Sequence, residues 1–99
     1  MNFDEIIVAL QKRFPTLQIK CASEFSKDYK PNQAIWLRNA SSVPYTNKDT
    51  YPLSALDCGI YDNKNYDIDV YIKFDKWCNK KGWYASTEEY TLMLYKLSE

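Results

Sequence analysis

The chain has 99 residues, 45% of them apolar and 16% aromatic, and its 13 basic and 13 acidic side chains cancel. That length holds one domain with a single core, and the apolar content excludes a disordered chain. Zero net charge excludes a global attraction to polyanions.

Asn2 is suited to cap a helix, with Glu5 three residues on completing a capping box. Phe3, Ile6, Ile7, Leu10 and Phe14 then recur at helical spacing, and Pro15 ends the helix near Arg13. Leu17, Ile19 and Cys21 alternate with Gln18, Lys20 and Ala22, the period of a half-buried strand. The segment from residue 26 to 33, SKDYKPNQ, reads as a turn or loop. AIWLR (34–38) reads as a second strand, antiparallel to the first, with Ile35 and Leu37 facing the core and Trp36 and Arg38 the other side.

Residues 39–52 are polar and irregular, an exposed loop with room for one short strand. LSALDCGIY (53–61) is ambiguous between strand and helical turn, and strand is preferred. The stretch after Asn63 reads two ways. As a strand, Ile68, Val70 and Ile72 alternate with Asp67, Asp69 and Tyr71. As a helix over 69–81, Val70, Phe74, Trp77 and Cys78 share a face, Asp67 or Asp69 supplies the cap, and Gly82 takes the left-handed position beyond the end. Lys76, Lys80 and Lys81 would then complement the helix dipole, and the helix is the preferred reading. WYAST and YTLMLYKL, around Glu88-Glu89, form a closing hairpin, with Tyr90, Leu92 and Leu94 on one face. The expected class is α+β, in the order α-β-β-(β)-α-β-β: a mainly antiparallel sheet of four to five strands with two helices packed on one face.

Chemistry is sparse. There is no histidine and there are only two glycines, so neither imidazole-activated nucleophiles nor phosphate-binding glycine loops can be written. No catalytic residue, cofactor or metal set is assigned, and a non-enzyme is expected. Cys21, Cys58 and Cys78 match neither a disulfide framework nor a metal knuckle. Together with the acidic start MNFDEII, which does not resemble a secretory signal, they place the expected location in the cytosol. Asn63, Asn65, Asp67 and Asp69 alternate like a calcium loop, but Ile68 and Phe74 occupy the places that need glycine and glutamate.

Two surface candidates remain. Tyr45, Tyr51, Tyr61 and Tyr66 sit in loops or at element ends beside Asp57, Asp62 and Asp67. Tyrosine is enriched at protein interfaces because it gives rigid contact area and a hydroxyl together, so these seven residues form the candidate protein-binding set. A structural role for the tyrosines, capping the edge of a small core, is the competing reading. The other candidate is basic and aromatic: KFDKWCNKKGWY (73–84) offers Lys73, Lys76 and Lys80 on one helix face, with Trp36 as a stacking platform for nucleic acid. Charge alternates along the chain. Residues 17–38 carry four basic and two acidic groups, 39–72 two and five, 73–82 four and one, and 83–99 one and three. Alternation of sign suits protein recognition at least as well as nucleic-acid binding.

The stretch FDKWCNKKGWYASTEEYTLMLYKL resembles the C-terminal part of small phage- and prophage-encoded proteins: a short helix ending at Lys80 and Gly82, the pair Trp83-Tyr84, the acidic turn Glu88-Glu89, and the closing strand Leu92-Met93-Leu94-Tyr95. The amphipathic opening helix followed by Phe14-Pro15 and a strand is similar too, so the resemblance spans about half the chain. It implies an inhibitor that occludes a host defence complex of the CRISPR kind, a protein or ribonucleoprotein partner, and stoichiometric contact. The neutral charge departs from the strongly acidic DNA mimics among such inhibitors. An immunity protein that neutralises a toxin would use the same physics.

Overall fold

The computed structural model describes residues 1–48, 51–56 and 64–97. Helix α1 (Phe3–Arg13) starts where Asn2 Oδ1 accepts the Glu5 N–H and the Glu5 carboxylate accepts the Asn2 N–H, both at 2.9 Å. Its last bond runs from the Phe14 N–H to the Leu10 carbonyl, and Pro15 has no N–H to extend it. Strands β1 (Ile19–Cys21) and β2 (Ala34–Leu37) follow, then the short pair β3 (Tyr66–Asp67) and β4 (Val70–Tyr71), helix α2 (Ile72–Asn79), and the closing strands β5 (Trp83–Glu88) and β6 (Thr91–Lys96). The main sheet is antiparallel throughout, in the order β1-β2-β6-β5, with a separate two-stranded sheet from β3 and β4. The class is therefore α+β, as the sequence indicates.

Period-2 alternation sorts the sheet into two faces. Ile35, Leu37, Leu92, Leu94 and Trp83 join Ile6, Leu10 and Phe14 of α1 and Phe74 and Cys78 of α2 in one core. Both helices thus pack on the same face. The opposite face is also covered: Ala34, Met93 and Trp36 meet Ala22, Phe25 and Tyr29 from the excursion between β1 and β2. The loop expected over 26–33 therefore serves as a lid over the sheet. Its polar groups are paired. Tyr95 donates to Glu88 Oε1 at 3.0 Å, so the Tyr29 hydroxyl, 3.1 Å from that of Tyr95, must be the donor between the two. The Trp36 indole N–H donates to Thr91 Oγ1 at 2.7 Å.

Three expectations change. The second helix is shorter than residues 69–81, because the backbone before it is committed elsewhere. Val70 pairs with Asp67, the Tyr71 N–H donates to the Leu53 carbonyl, and the Ile72 N–H donates to the Asn65 carbonyl. Asp67 and Asp69 are hairpin residues rather than caps, and Tyr71 takes the cap position without a side-chain capping bond. Tyr90 belongs to the β5–β6 turn and points away from the core, 84% exposed. In the ambiguous stretch, Leu53 to Ala55 follows the strand reading: Ser54 bridges Val70, and the Ala55 N–H donates to the Asp69 carbonyl. Residues 57–61 lie outside the described part.

Gly82 has the expected left-handed backbone, φ +84°, and an added Cβ would lie 3.8 Å from its nearest neighbour. Replacing it is therefore a conformational cost rather than a clash. Gly82→Ala should lower stability in a urea titration by about 1 kcal/mol. Phe74→Ala, which empties a fully buried site between Phe14 and Trp77, should cost about 3–5 kcal/mol.

Candidate protein-binding surface

The structure brings three of the candidate tyrosines together, as part of the core's edge. Tyr51 stacks on Tyr71 (5.5 Å between ring centroids, 17° between planes) and meets Tyr66 edge-on. Tyr45 meets Tyr71 and Phe14, and Phe14 continues the cluster to Phe74 and Trp77. Tyr66 is buried, and its hydroxyl donates to the Pro52 carbonyl at 2.7 Å. Tyr45 and Tyr51 are half-buried. These rings supply packing first, with edge-to-face and offset contacts adding to the area they bury. Tyr66 offers a partner no free face. Asp67 is exposed on β3; Asp57, Tyr61 and Asp62, with Cys58 and Asn63, lie outside the described residues.

The basic candidate divides. Lys73, Lys76 and Lys80 are all exposed, and the Asp75 carboxylate between them in sequence accepts the Ala85 N–H at 3.0 Å. Trp36, however, sits on the opposite face of the sheet from α2, packed against Phe25 with centroids 5.2 Å apart. No stacking platform therefore adjoins the lysines at Trp36. Lys81 places its ammonium 4.3 Å from the Trp77 ring, a cation–π contact that covers that ring's outer side. A different basic concavity, about 700 Å³, lies at the end of α1 between Lys12, Arg13, Lys48 and Tyr45.

A surface the sequence reading missed stands at the far end of the two hairpins. The β3–β4 turn is Ile68-Asp69, with φ of +46° and +62°. Both central residues of a two-residue hairpin of this kind need positive φ, which asparagine and glycine provide cheaply and isoleucine does not. Ile68 is also 79% exposed. The β5–β6 turn repeats the combination, with Glu89 at φ +53° followed by the exposed Tyr90. The Thr87 hydroxyl donates to the Ile68 carbonyl at 3.4 Å, which sets the two turns side by side. A lone exposed apolar residue is ordinary. Two of them, on adjacent turns whose backbones are held in a costly conformation, form a patch with a reason to be kept. Asp67, Asp69 and Glu89 surround it, all exposed.

Behind the patch runs a groove of about 660 Å³ between the β3–β4 hairpin, α2 and the outer edge of β5, lined by Asp67, Ile68, Asp75, Lys76, Ala85 and Thr87 among others. The volume is within the range of ligand and peptide sites. Among the described residues, no three His, Cys, Asp or Glu side chains gather as a metal would require, and no helix is long and apolar enough to cross a membrane. Compared with family models, curated proteins and solved structures, the chain matches none.

The two described thiols differ. Burial, reinforced by Asp75, pushes the Cys78 thiol well up. At Cys21 burial acts upward too, but hydrogen bonds from the Ser23 hydroxyl and from the Asn32 and Ser23 backbones outweigh it, leaving that thiol below its ordinary value. Only the thiolate attacks alkylating reagents. In the native protein iodoacetamide should therefore modify Cys21, with a rate that begins to rise at a lower pH than for a free thiol, and should leave Cys78 untouched until the chain unfolds. Peptide mapping after a timed pulse reads both.

The strain at Ile68 is testable by itself. Ile68→Asn gives the turn a residue that tolerates positive φ, so the domain should gain about 1 kcal/mol in chemical denaturation. A loss of stability would show that the isoleucine supports the fold instead.

Proposed function

We propose that the protein is a non-catalytic binding module that works by stoichiometric contact with another protein, and that it is a phage or mobile-element inhibitor of a host defence complex acting in the cytosol. The observation that carries the binding role is the Ile68 and Tyr90 pair: Ile68 is displayed at a positive φ that works against it, and Tyr90 is displayed beside Glu89, which is held in the same way. A chain under no demand but folding would gain from asparagine or glycine at Ile68. The inhibitor setting rests on the resemblance of the C-terminal stretch and the opening helix to small phage proteins. The tyrosines support the role indirectly, by holding the base of the β3–β4 hairpin. The exposed lysines of α2 favour a nucleic-acid role less, because the aromatic partner expected beside them lies across the sheet.

Affinity capture from cells that carry the gene tests this reading. The wild-type chain should retain a protein or ribonucleoprotein complex at one-to-one ratio. Ile68→Ser with Tyr90→Ser should weaken that complex by about a hundredfold or more, as loss of two interface hot spots does, with the melting temperature unchanged or raised. Recovery of nothing by the wild type, or equal recovery by the double variant, would sink the proposal.

A further inference from the structure

The outer edge of β5 carries backbone groups in an unusual state of pairing. In an antiparallel ladder alternate residues turn their N–H and C=O outward, and the bond from the Ala85 N–H to Asp75 Oδ1 shows that Ala85, and hence Thr87, are the outward ones. The Ala85 N–H is taken. The Ala85 carbonyl and the Thr87 N–H have no partner among the described residues. These two groups flank Ser86, and they face the groove. Exposed edges are usually blunted by charge, proline or a covering element; here the cover stops one residue short.

One residue of a parallel strand bonds the carbonyl before and the N–H after the residue it faces. An antiparallel strand instead exchanges both bonds with a single residue. Ala85 cannot do the latter without displacing Asp75, which leaves an antiparallel neighbour one full pair, at Thr87, whereas the Ala85 carbonyl and Thr87 N–H together suit a parallel neighbour centred on Ser86. We propose that the groove takes an extended, basic segment of the partner protein as a parallel strand added to β5, its central residue opposite Ser86 and a lysine or arginine against Asp67. This rests on the protein-binding reading above and names the mode of contact. Charge argues for a basic segment: the Asp67 carboxylate has no hydrogen-bond or ionic partner among the described residues, and Asp69 and Glu89 add to the same end, against the one lysine of the groove lining, Lys76. A second copy of the chain is disfavoured. A two-fold dimer would pair β5 antiparallel, and beyond the one pair at Thr87 its ladder would require the N–H that Asp75 holds.

The experiment pans a phage-displayed library of random dodecapeptides against the whole chain and measures the enriched peptides by calorimetry. They should be basic with alternating apolar residues, and binding should slow amide exchange at Thr87. Thr87→Pro removes the outward N–H and, with the hydroxyl, the bond to the Ile68 carbonyl, and it leaves the bonds to β6 in place, so the fold should persist and affinity should fall about tenfold. Asp67→Lys leaves the backbone intact and should cut affinity by a similar factor, which keeps the test decisive if the proline variant does not fold. Enrichment of no peptide, enrichment of acidic ones, or full binding by both variants would overturn the proposal, as would concentration-dependent dimerisation abolished by Thr87→Pro. If the captured host complex survives Thr87→Pro and Asp67→Lys but not the Ile68 and Tyr90 changes, the strand-addition mode fails while the binding function stands.

Discussion

Strand β6 is the constraint on which the molecule depends. Thr91, Leu92, Met93 and Leu94 are all buried in succession, and a strand can bury consecutive residues only if both faces of its sheet are covered. One face has α1 and α2. The other has no third α-helix to cover it among the described residues, and the excursion between β1 and β2 supplies the cover with Phe25 and Tyr29. Small domains bury a limited share of their surface, so this double use of the sheet commits most of the apolar residues. It also forces polar atoms under the lid to find partners there. The Trp36–Thr91 and Tyr29–Tyr95–Glu88 bonds are the result, since unpaired groups in that position would cost about 1–3 kcal/mol each.

With both faces of the sheet occupied, the surface left for recognition is its ends and its edge. The hairpin turns and the outer side of β5 are where the chain is not saturated by its own contacts. Positive φ at Ile68, Asp69 and Glu89 costs about 1–2 kcal/mol for each non-glycine residue, a sizeable part of the 5–15 kcal/mol that separates a typical fold from its unfolded chain. The hairpin can hold that conformation because its base is overdetermined. Ala55 and Leu53 bond to Asp69 and Tyr71, Tyr66 reaches the Pro52 carbonyl, and the tyrosine rings lock the strands laterally.

The parts legible in the sequence are those where local signals agree with the tertiary outcome. The capping box and apolar stripe of α1, the alternation of β2, the left-handed Gly82 and the strands around Glu88-Glu89 each follow from a short-range rule. Residues 66–71 were not legible for the same reason. Their turn contains isoleucine and aspartate where asparagine and glycine would announce a hairpin, and an aspartate ahead of an apolar run reads as a helix cap. The backbone bonds that decide the matter come from Leu53 and Asn65, which no local rule connects to Tyr71 and Ile72. The tyrosines misled in a related way. Their composition matches an interface, yet pairing across the β3–β4 unit draws Tyr51, Tyr66 and Tyr71 onto one another.

This failure of local rules is also what marks the site. Where sequence chemistry and backbone conformation agree, folding alone accounts for the residue; where they disagree at an exposed position, something other than folding is needed. Tyr66 and Ile68 show the difference. The tyrosine is a good interface residue in a place that folding fully explains, while the isoleucine is a poor turn residue left 79% exposed. Charge then separates the roles of the two kinds of surface residue around it. In the proposed binding role, exposed carboxylates at Asp67, Asp69 and Glu89 would raise the rate of encounter with a basic partner and lose influence as salt rises, whereas the apolar tips would act after contact, by excluding water and slowing release. A neutral chain needs that division, because its whole-molecule field gives it no steering. Local placement of three acids at one end restores direction without the repulsion that a strongly acidic fold would have to overcome.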